Sequence, residues 1–457
     1  DTVYAVLDDH KTGDFMPYLV KSEDRGRTWH SIVGDLPDRQ ILWRFTQDHI
    51  KPDLYFLGAE FGLYFSLDGG AKWIKLKGNV PTISFRDIEI QRREDDLVGA
   101  SFGRSFFVLD DYSFLRQIGD KTLDKEEFIL FGIRKAPLYV PGRTLGSEKG
   151  SQGDGFFTAP NPPSGAVLTY YLKDSLKTLK QSRAEKEGKI KKQDGDNPYP
   201  GWEALEDERR EESPTITFVI KDTKGNVVNR VTGRTSAGFH RVSWNLRHAS
   251  LSSAGGSGPF VVPGKYIVAA EKRVRDEVTP LGSPQGVEVA KMLTASLPVQ
   301  NRNTVLQFYM TVGELQRAIR GTSGRASEVL SQLVEIKQAL KQSGKSNEQL
   351  VEQARELELK LKDLRKTLAG GTVISRHNEP DRISITNRAS SAMSAAGSTY
   401  GPTKTHRQDY EIAKEQFEAV HGQVKKLIEG DFVKLQRNLE AAGLPWTAGR
   451  PIPQLKE

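Results

Sequence analysis

The chain has 457 residues, 27% charged and 37% hydrophobic, with 66 Lys and Arg against 59 Asp and Glu for a formal charge of +7. That length accommodates two or three cored domains, and the nearly balanced charge, spread along the chain, argues against nucleic acid as a partner. The absence of cysteine excludes disulfides, thiolate metal sites and a Cys nucleophile, and no apolar run approaches the roughly 18 residues of a membrane-spanning helix. Beginning at Asp1 in mid-pattern, without a signal peptide or initiator Met, the chain reads as a mature product or a fragment of an exported protein.

Residues 1–118 read as short strands. Val3 to Leu7, Tyr18 to Val20, Leu54 to Leu57 and Leu63 to Phe65 are rich in aromatic and β-branched residues and are bounded by Asp, Gly and Pro. Two eight-residue stretches punctuate them, Ser22 to Trp29 and Ser66 to Trp73. Both follow Ser-x-Asp-x-Gly-x-(Thr/Lys)-Trp and lie 44 residues apart, about one propeller blade. In each, the Asp carboxylate (Asp24, Asp68) can accept backbone N–H bonds, the Gly (Gly26, Gly70) can take positive φ, and the Trp (Trp29, Trp73) can bury its ring on a neighbouring blade. A third, eroded copy runs from Gly99-Ala100 to Asp110, with Leu115 near the Trp position.

These stretches resemble the Asp-box, or bacterial neuraminidase repeat (BNR), of sialidases, sortilin-type receptors and several glycoside hydrolases. The phrase Gly103 to Asp111 is similar to the closing blade of sortilin-type propellers, although that family carries Thr-His where this chain has Ser101-Phe102. The resemblance implies the last blades of an incomplete propeller in a bacterial exported protein of the "glycosyl hydrolase"-labelled propeller family. The missing N-terminal half would come from the same parent or a separate chain. In such families the Asp-box lies away from the central site, so the motif speaks for architecture more than for chemistry.

A connector over 119–160, with a strand at Phe128 to Phe131, leads into a second β region over 161–295. Strands at Val167 to Leu172, Thr215 to Ile220, Gly238 to Trp244 and Gly264 to Ala269 are spaced like a small sandwich. Ile220 to Val228 and Gly238 to Asn245 resemble immunoglobulin-like modules appended to bacterial exported proteins. A charged insertion, 173–213, is basic to Lys192 and acidic from Asp194, and reads as a solvated helical hairpin or mobile segment.

From 296 to 445 the apolar period becomes helical, as in Ala326, Val329, Leu333, Ile336 and Leu340, in Leu350 to Leu368, and in Tyr410 to Leu427. Three long antiparallel helices are expected, with capping boxes at Ser346 and Thr405 and a stop at Gly370-Gly371. Gly321 and Gly324 mark a break or kink. A long link, 372–403, holds a strand candidate at Ile383 to Thr386, and Trp446 is expected to dock the 446–457 tail.

Asp8, Asp9, His10 and Asp14 form the densest polar cluster and could serve a cation or acid–base chemistry, against the plain alternative of loop residues. Glu60 and Arg104 follow related Gly-Ala strands and fall near a propeller channel, where Arg could hold a carboxylate, against structural pairing between blades. The histidines and carboxylates lack metal-ligand spacing and Gly255 to Gly258 is no phosphate loop, so neither metal nor cofactor is expected. The resulting expectation is a multidomain β plus α protein: partial Asp-box blades, an immunoglobulin-like sandwich and an antiparallel helical bundle. It would be a periplasmic or secreted scaffold that presents surfaces to protein or glycan and assembles through the bundle. The alternative is a sialidase-like or glucanase-like glycoside hydrolase.

Overall fold

The computed structural model describes residues 1–119, 122–141, 159–251, 255–291, 301–345, 348–371, 373, 376–377, 379–398 and 401–453. The chain is β plus α, with several sheets and a C-terminal helical region, and it divides into two compact units. One comprises Asp1–Ala136, Lys149–Asn245 and Lys265–Glu288, and the other Pro137–Glu148, Leu246–Gly264 and Val289–Glu457. Gly142, Leu297-Pro298 and the Ser346 cap lie outside the described residues.

The first unit opens with antiparallel meanders. β1 (Val3–Asp9), β2 (Asp14–Ser22) and β3 (His30–Ser31) form a three-stranded sheet. β4 (Leu42–Gln47), β5 (Tyr55–Ala59), β6 (Gly62–Ser66) and β7 (Ile74–Lys75) form a four-stranded sheet, and β8 (Phe85–Gln91), β9 (Asp96–Ser101) and β10 (Phe106–Leu109) another of three. β4 packs on β1, and β8 packs on β4 and β5. Every residue of β5 is buried, which explains why it reads as a continuous apolar run rather than an alternation. Its Tyr55 and Leu57 join Leu19, Ile32 and Trp73 in one core, while Phe56 joins Phe85, Ile88, Leu97 and Tyr112 in the next.

Each Ser-x-Asp-x-Gly stretch makes a tight turn. Ser22 Oγ donates to Asp24 Oδ1 at 2.8 Å and accepts the Gly26 amide at 2.7 Å, and Ser66 Oγ repeats the pattern with Asp68 at 2.8 Å and the Gly70 amide at 2.9 Å. Asp24 also accepts the backbone N–H of Thr28 at 2.8 Å and its hydroxyl at 2.7 Å. Those bonds, with the Ser22 hydroxyl, hold its carboxyl down at about 2. The eroded third copy builds no such turn. A 3₁₀ helix, Tyr112–Gln117, follows instead, capped by Asp111, whose carboxylate accepts from the Ser113 hydroxyl at 2.5 Å.

That helix is clamped to the preceding strands. Arg116 donates to Asp48 at 2.8 and 2.9 Å and to Asp95 at 2.6 and 2.9 Å, and the Tyr112 hydroxyl donates to Asp48 at 2.6 Å. Asp48 is wholly buried, and these donors together with the amides of Ile50 and Lys51 overcome the burial and hold its carboxyl well below the usual range.

A short helix, α1 (Thr122–Lys125), leads to the second β region. It contains β11 (Phe128–Leu130), β12 (Ala136–Leu138), β13 (Ala166–Leu172), β14 (Thr215–Asp222), β15 (Val227–Gly233), β16 (Gly238–Trp244), β17 (Gly264–Val274) and β18 (Glu277–Lys291). One sheet runs β11-β13-β16 and another β12-β18-β17-β14-β15. Tyr170 meets Phe218 at 5.0 Å and Trp244 meets Tyr266 at 5.3 Å, so aromatic rings from the two sheets share a core. The charged insertion forms helices α2 (Leu179–Lys192) and α3 (Trp202–Arg210), cross-linked where Arg183 holds Glu208 at 2.6 and 2.9 Å.

In the second unit α4 (Arg302–Gln342) runs unbroken through Gly321 and Gly324, correcting the expected break; neither glycine takes positive φ. It packs with α5 (Glu348–Ala369), which stops at Gly370 with φ 93°. The expected strand at Ile383 to Thr386 is instead the entry to helix α6 (Ile385–Ser394), capped by Ser384, because Ser Oγ satisfies the Asn387 amide. α7 (Lys404–Lys425) starts at Thr403, with His406 completing its capping box, rather than at Thr405. A π-helical turn, Lys426–Phe432, joins it to α8 (Val433–Ala441). The tail docks through Arg450, 5% exposed and paired with Glu440; Trp446, expected to anchor it, is 50% exposed.

Candidate functional site

Strands β4 and β8 are equivalent in adjacent sheets, and each carries a bulge at the same place. Register shifts fall between Leu42 and Arg44 and between Phe85 and Asp87, so Trp43 and Arg86 are the extra residues. The return strands answer alike, Glu60 N–H donating to the Ile41 carbonyl and Phe102 N–H to the Ser84 carbonyl, both at 2.9 Å. A bulge re-aims its side chain out of the strand's alternation. Here the two extra side chains meet. The Arg86 guanidinium carbon lies 3.5 Å from the Trp43 ring centroid and 5.5 Å from that of Phe102.

Two candidates from the sequence join this cluster. Glu60 accepts the Trp43 indole N–H at 2.9 Å, with Arg86 3.8 Å away, and His10 stands edge-on to Trp43 at 5.7 Å. His10 in turn bonds the Asp8 carboxylate. Among the described residues the remaining candidates have local roles or none with another side chain. Asp14 accepts the Tyr18 hydroxyl at 2.6 Å and the Met16 amide at 2.9 Å, which lowers its carboxyl's pKa, the Tyr18 bond most. Asp9 is exposed and offers its carbonyl to Thr12, and Arg104 is exposed in the β9–β10 turn two residues beyond Phe102.

The surface is aromatic, cationic and open. Phe102 is 72% exposed and the Arg86 side chain 45% exposed. Residue types alone did not single out Trp43, Arg86 or Phe102. The signal that finds them is positional, since Leu42-Trp43-Arg44 and Phe85-Arg86-Asp87 recur 43 residues apart at the start of equivalent strands.

No family model and no curated protein matches the chain. Among solved structures it is similar to the extracellular domain of a hybrid two-component system of B. thetaiotaomicron, with 12% identity over 60% of this chain and 29% of that one, at a TM-score of 0.18. The extracellular domain of a one-component system of the same organism gives 12% identity over 63% of this chain and 31% of that one, at 0.17. The chain thus spans under a third of either protein's length, and at those TM-scores neither fold nor function transfers to it.

Elsewhere in the first unit a cleft of ≈ 1200 Å³ is lined by the cations Lys125, Lys177, Lys272 and Arg275 and the carboxylates Glu126, Glu127 and Glu277, opposed charges that largely offset one another. Asp110, at the end of β10, has its carboxyl pushed up, first by burial and then by Asp96. Among the described residues no group of three or more His, Cys, Asp or Glu could hold a metal ion, and no helix is long and apolar enough to cross a membrane.

Proposed function

We propose that the chain is a non-catalytic, exported binding protein. In this reading the first three sheets are blades of an incomplete Asp-box propeller, completed by a missing N-terminal half. The paired sheets are an immunoglobulin-like module and the helical region is an assembly bundle. The stacked surface of Trp43, Arg86 and Phe102 is the ligand contact. The observation that carries it is the engagement of Glu60, whose carboxylate accepts the Trp43 indole N–H at 2.9 Å beside Arg86. That acid builds a surface; a glycosidase instead needs two carboxyl groups about 5–10 Å apart across a cleft, one of them protonated. Asp8 and Asp14 are likewise taken up, by His10 and by Tyr18. The Asp-box resemblance supports export.

A second reading, a glycoside hydrolase, draws on Asp110, because a raised carboxyl pKa suits a general acid. One experiment separates the two. The purified chain is screened for binding on a glycan array and incubated with aryl glycosides. Saturable binding without turnover, lost in Phe102→Ala, supports the binding reading. Turnover that disappears in Asp110→Asn or Glu60→Gln replaces it with the hydrolase.

A further inference from the structure

We infer that the Trp43–Arg86–Phe102 surface is a receptor for the carboxylate of an acidic saccharide of the hexuronate type, with Arg86 as the group that holds it; this rests on reading the chain as a binding protein. Trp43 covers one face of the guanidinium at 3.5 Å from ring centroid to Cζ, which fixes its plane and leaves its edge as the reactive side. Among the described residues that edge has no hydrogen-bond acceptor. Its nearest carboxylate oxygen, on Glu60, is 3.8 Å away, beyond hydrogen-bonding reach. A guanidinium held flat, on a side chain 45% exposed and with its fork unused, is matched by a carboxylate, which takes two parallel N–H bonds from it. Because the stack has already restricted the side chain, binding loses less rotamer freedom than at a free surface arginine.

Phe102 selects the saccharide. Its ring centroid lies 5.5 Å from the Arg86 guanidinium carbon and the residue is 72% exposed. A fixed cation beside a bare aromatic plane fits a rigid ring that has a carboxylate on its edge and C–H groups on its face. An acidic peptide brings its carboxylates on flexible side chains and has no comparable face for Phe102 to cover, so it pays ordering entropy without that gain. Glu60 works against the ligand by its charge while orienting Trp43, which predicts the effect of neutralising it.

The test titrates the whole chain with trigalacturonate, maltotriose and an acetylated, amidated tri-aspartate peptide, followed by tryptophan fluorescence and calorimetry. Trigalacturonate should bind at least tenfold more tightly than either control. Arg86→Lys keeps the charge but loses the fork, and should weaken binding tenfold or more with an unchanged melting temperature. Glu60→Gln, which can still accept the indole N–H, should tighten binding severalfold and keeps the test decisive if Arg86→Lys fails to fold. Equal binding of maltotriose or of the peptide, or wild-type affinity in Arg86→Lys, overturns the inference. Maltotriose binding that is lost in Phe102→Ala would leave the binding reading standing while removing this one; cleavage of trigalacturonate would remove the binding reading itself.

Discussion

The indole N–H of Trp73 donates to the carbonyl of Ile32 at 3.1 Å, joining the second sheet to the segment that leaves the first. The junction is close: a Cβ on Gly70, at φ +96°, would meet that same carbonyl at 2.8 Å. Trp29, at the same place in its own turn, reaches only Gly26 of its own turn, at 3.0 Å. Trp73 is 7% exposed and Trp29 44%. Equal motifs therefore carry unequal loads. Trp73→Ala should cost about 3–4 kcal/mol in urea unfolding, the usual range for a buried aromatic, and Trp29→Ala under about 1 kcal/mol. Equal losses at the two positions would refute the distinction.

Asp48 gives a second test. It accepts from Arg116, Tyr112 and two backbone amides while fully buried, so its charge is compensated from several sides. Asp48→Asn keeps the shape but removes the charge opposite Arg116. The expected loss is about 3 kcal/mol, since removing one charge of a buried pair leaves the other with only part of its compensation. Asp95 retains part of the Arg116 contact, so Asp95→Asn should cost less. Denaturant midpoints of both variants decide the order.

These relationships mark what the sequence could and could not disclose. The Ser-x-Asp-x-Gly turns were legible because their chemistry is local: Ser22, Asp24 and Gly26 bond within five residues. Helix seams such as Val329, Leu333 and Ile336 were legible because burial follows the helical period. Strand β8 was missed, its apolar residues broken by Arg86, Asp87 and Glu89, although Phe85, Ile88 and Ile90 are buried. The stretch at Ile383 to Thr386 has β-branched residues but folds as a helix entry, because Ser384 caps and Ile385 packs into the helical core. The stacked site escaped notice because a bulge is a property of strand pairing, and Trp43 and Arg86 become neighbours only once β4 and β8 lie side by side.

The tail supplies a third prediction. Arg450 donates to the Pro445 carbonyl at 2.7 Å and pairs with Glu440, and the Gly449 carbonyl accepts from Gln436 at 3.0 Å. Arg450→Ala should therefore release the tail and cost about 1–3 kcal/mol, while Trp446→Ala, half-exposed, should change stability by under about 1 kcal/mol. Amide hydrogen exchange over 444–453 would report release directly. Faster exchange in Trp446→Ala than in Arg450→Ala would reverse the assignment.

Glu358 links the helical region to pH. Its side chain is 4% exposed and is held by Lys337 at 2.5 Å, Lys362 at 2.7 Å and Arg355 at 2.8 Å. Those cations, Lys337 foremost, bring its carboxyl to about 2 in the folded chain. An unfolded glutamate titrates near ~4.3, so the folded value is the depressed one. The stabilisation is then fully present above about pH 5, and it is lost progressively as pH falls toward about 2, because the unfolded chain takes up the proton first. Glu358→Gln removes this contribution at every pH. At neutral pH the variant should be less stable by about 2 kcal/mol, partly discounted because Arg355 and Lys362 are more than half exposed. As pH drops from 6 to 3 the wild-type and variant stability curves should converge. Parallel curves across that range, measured by urea unfolding at fixed ionic strength, would show that the Glu358 charge does not act on folding.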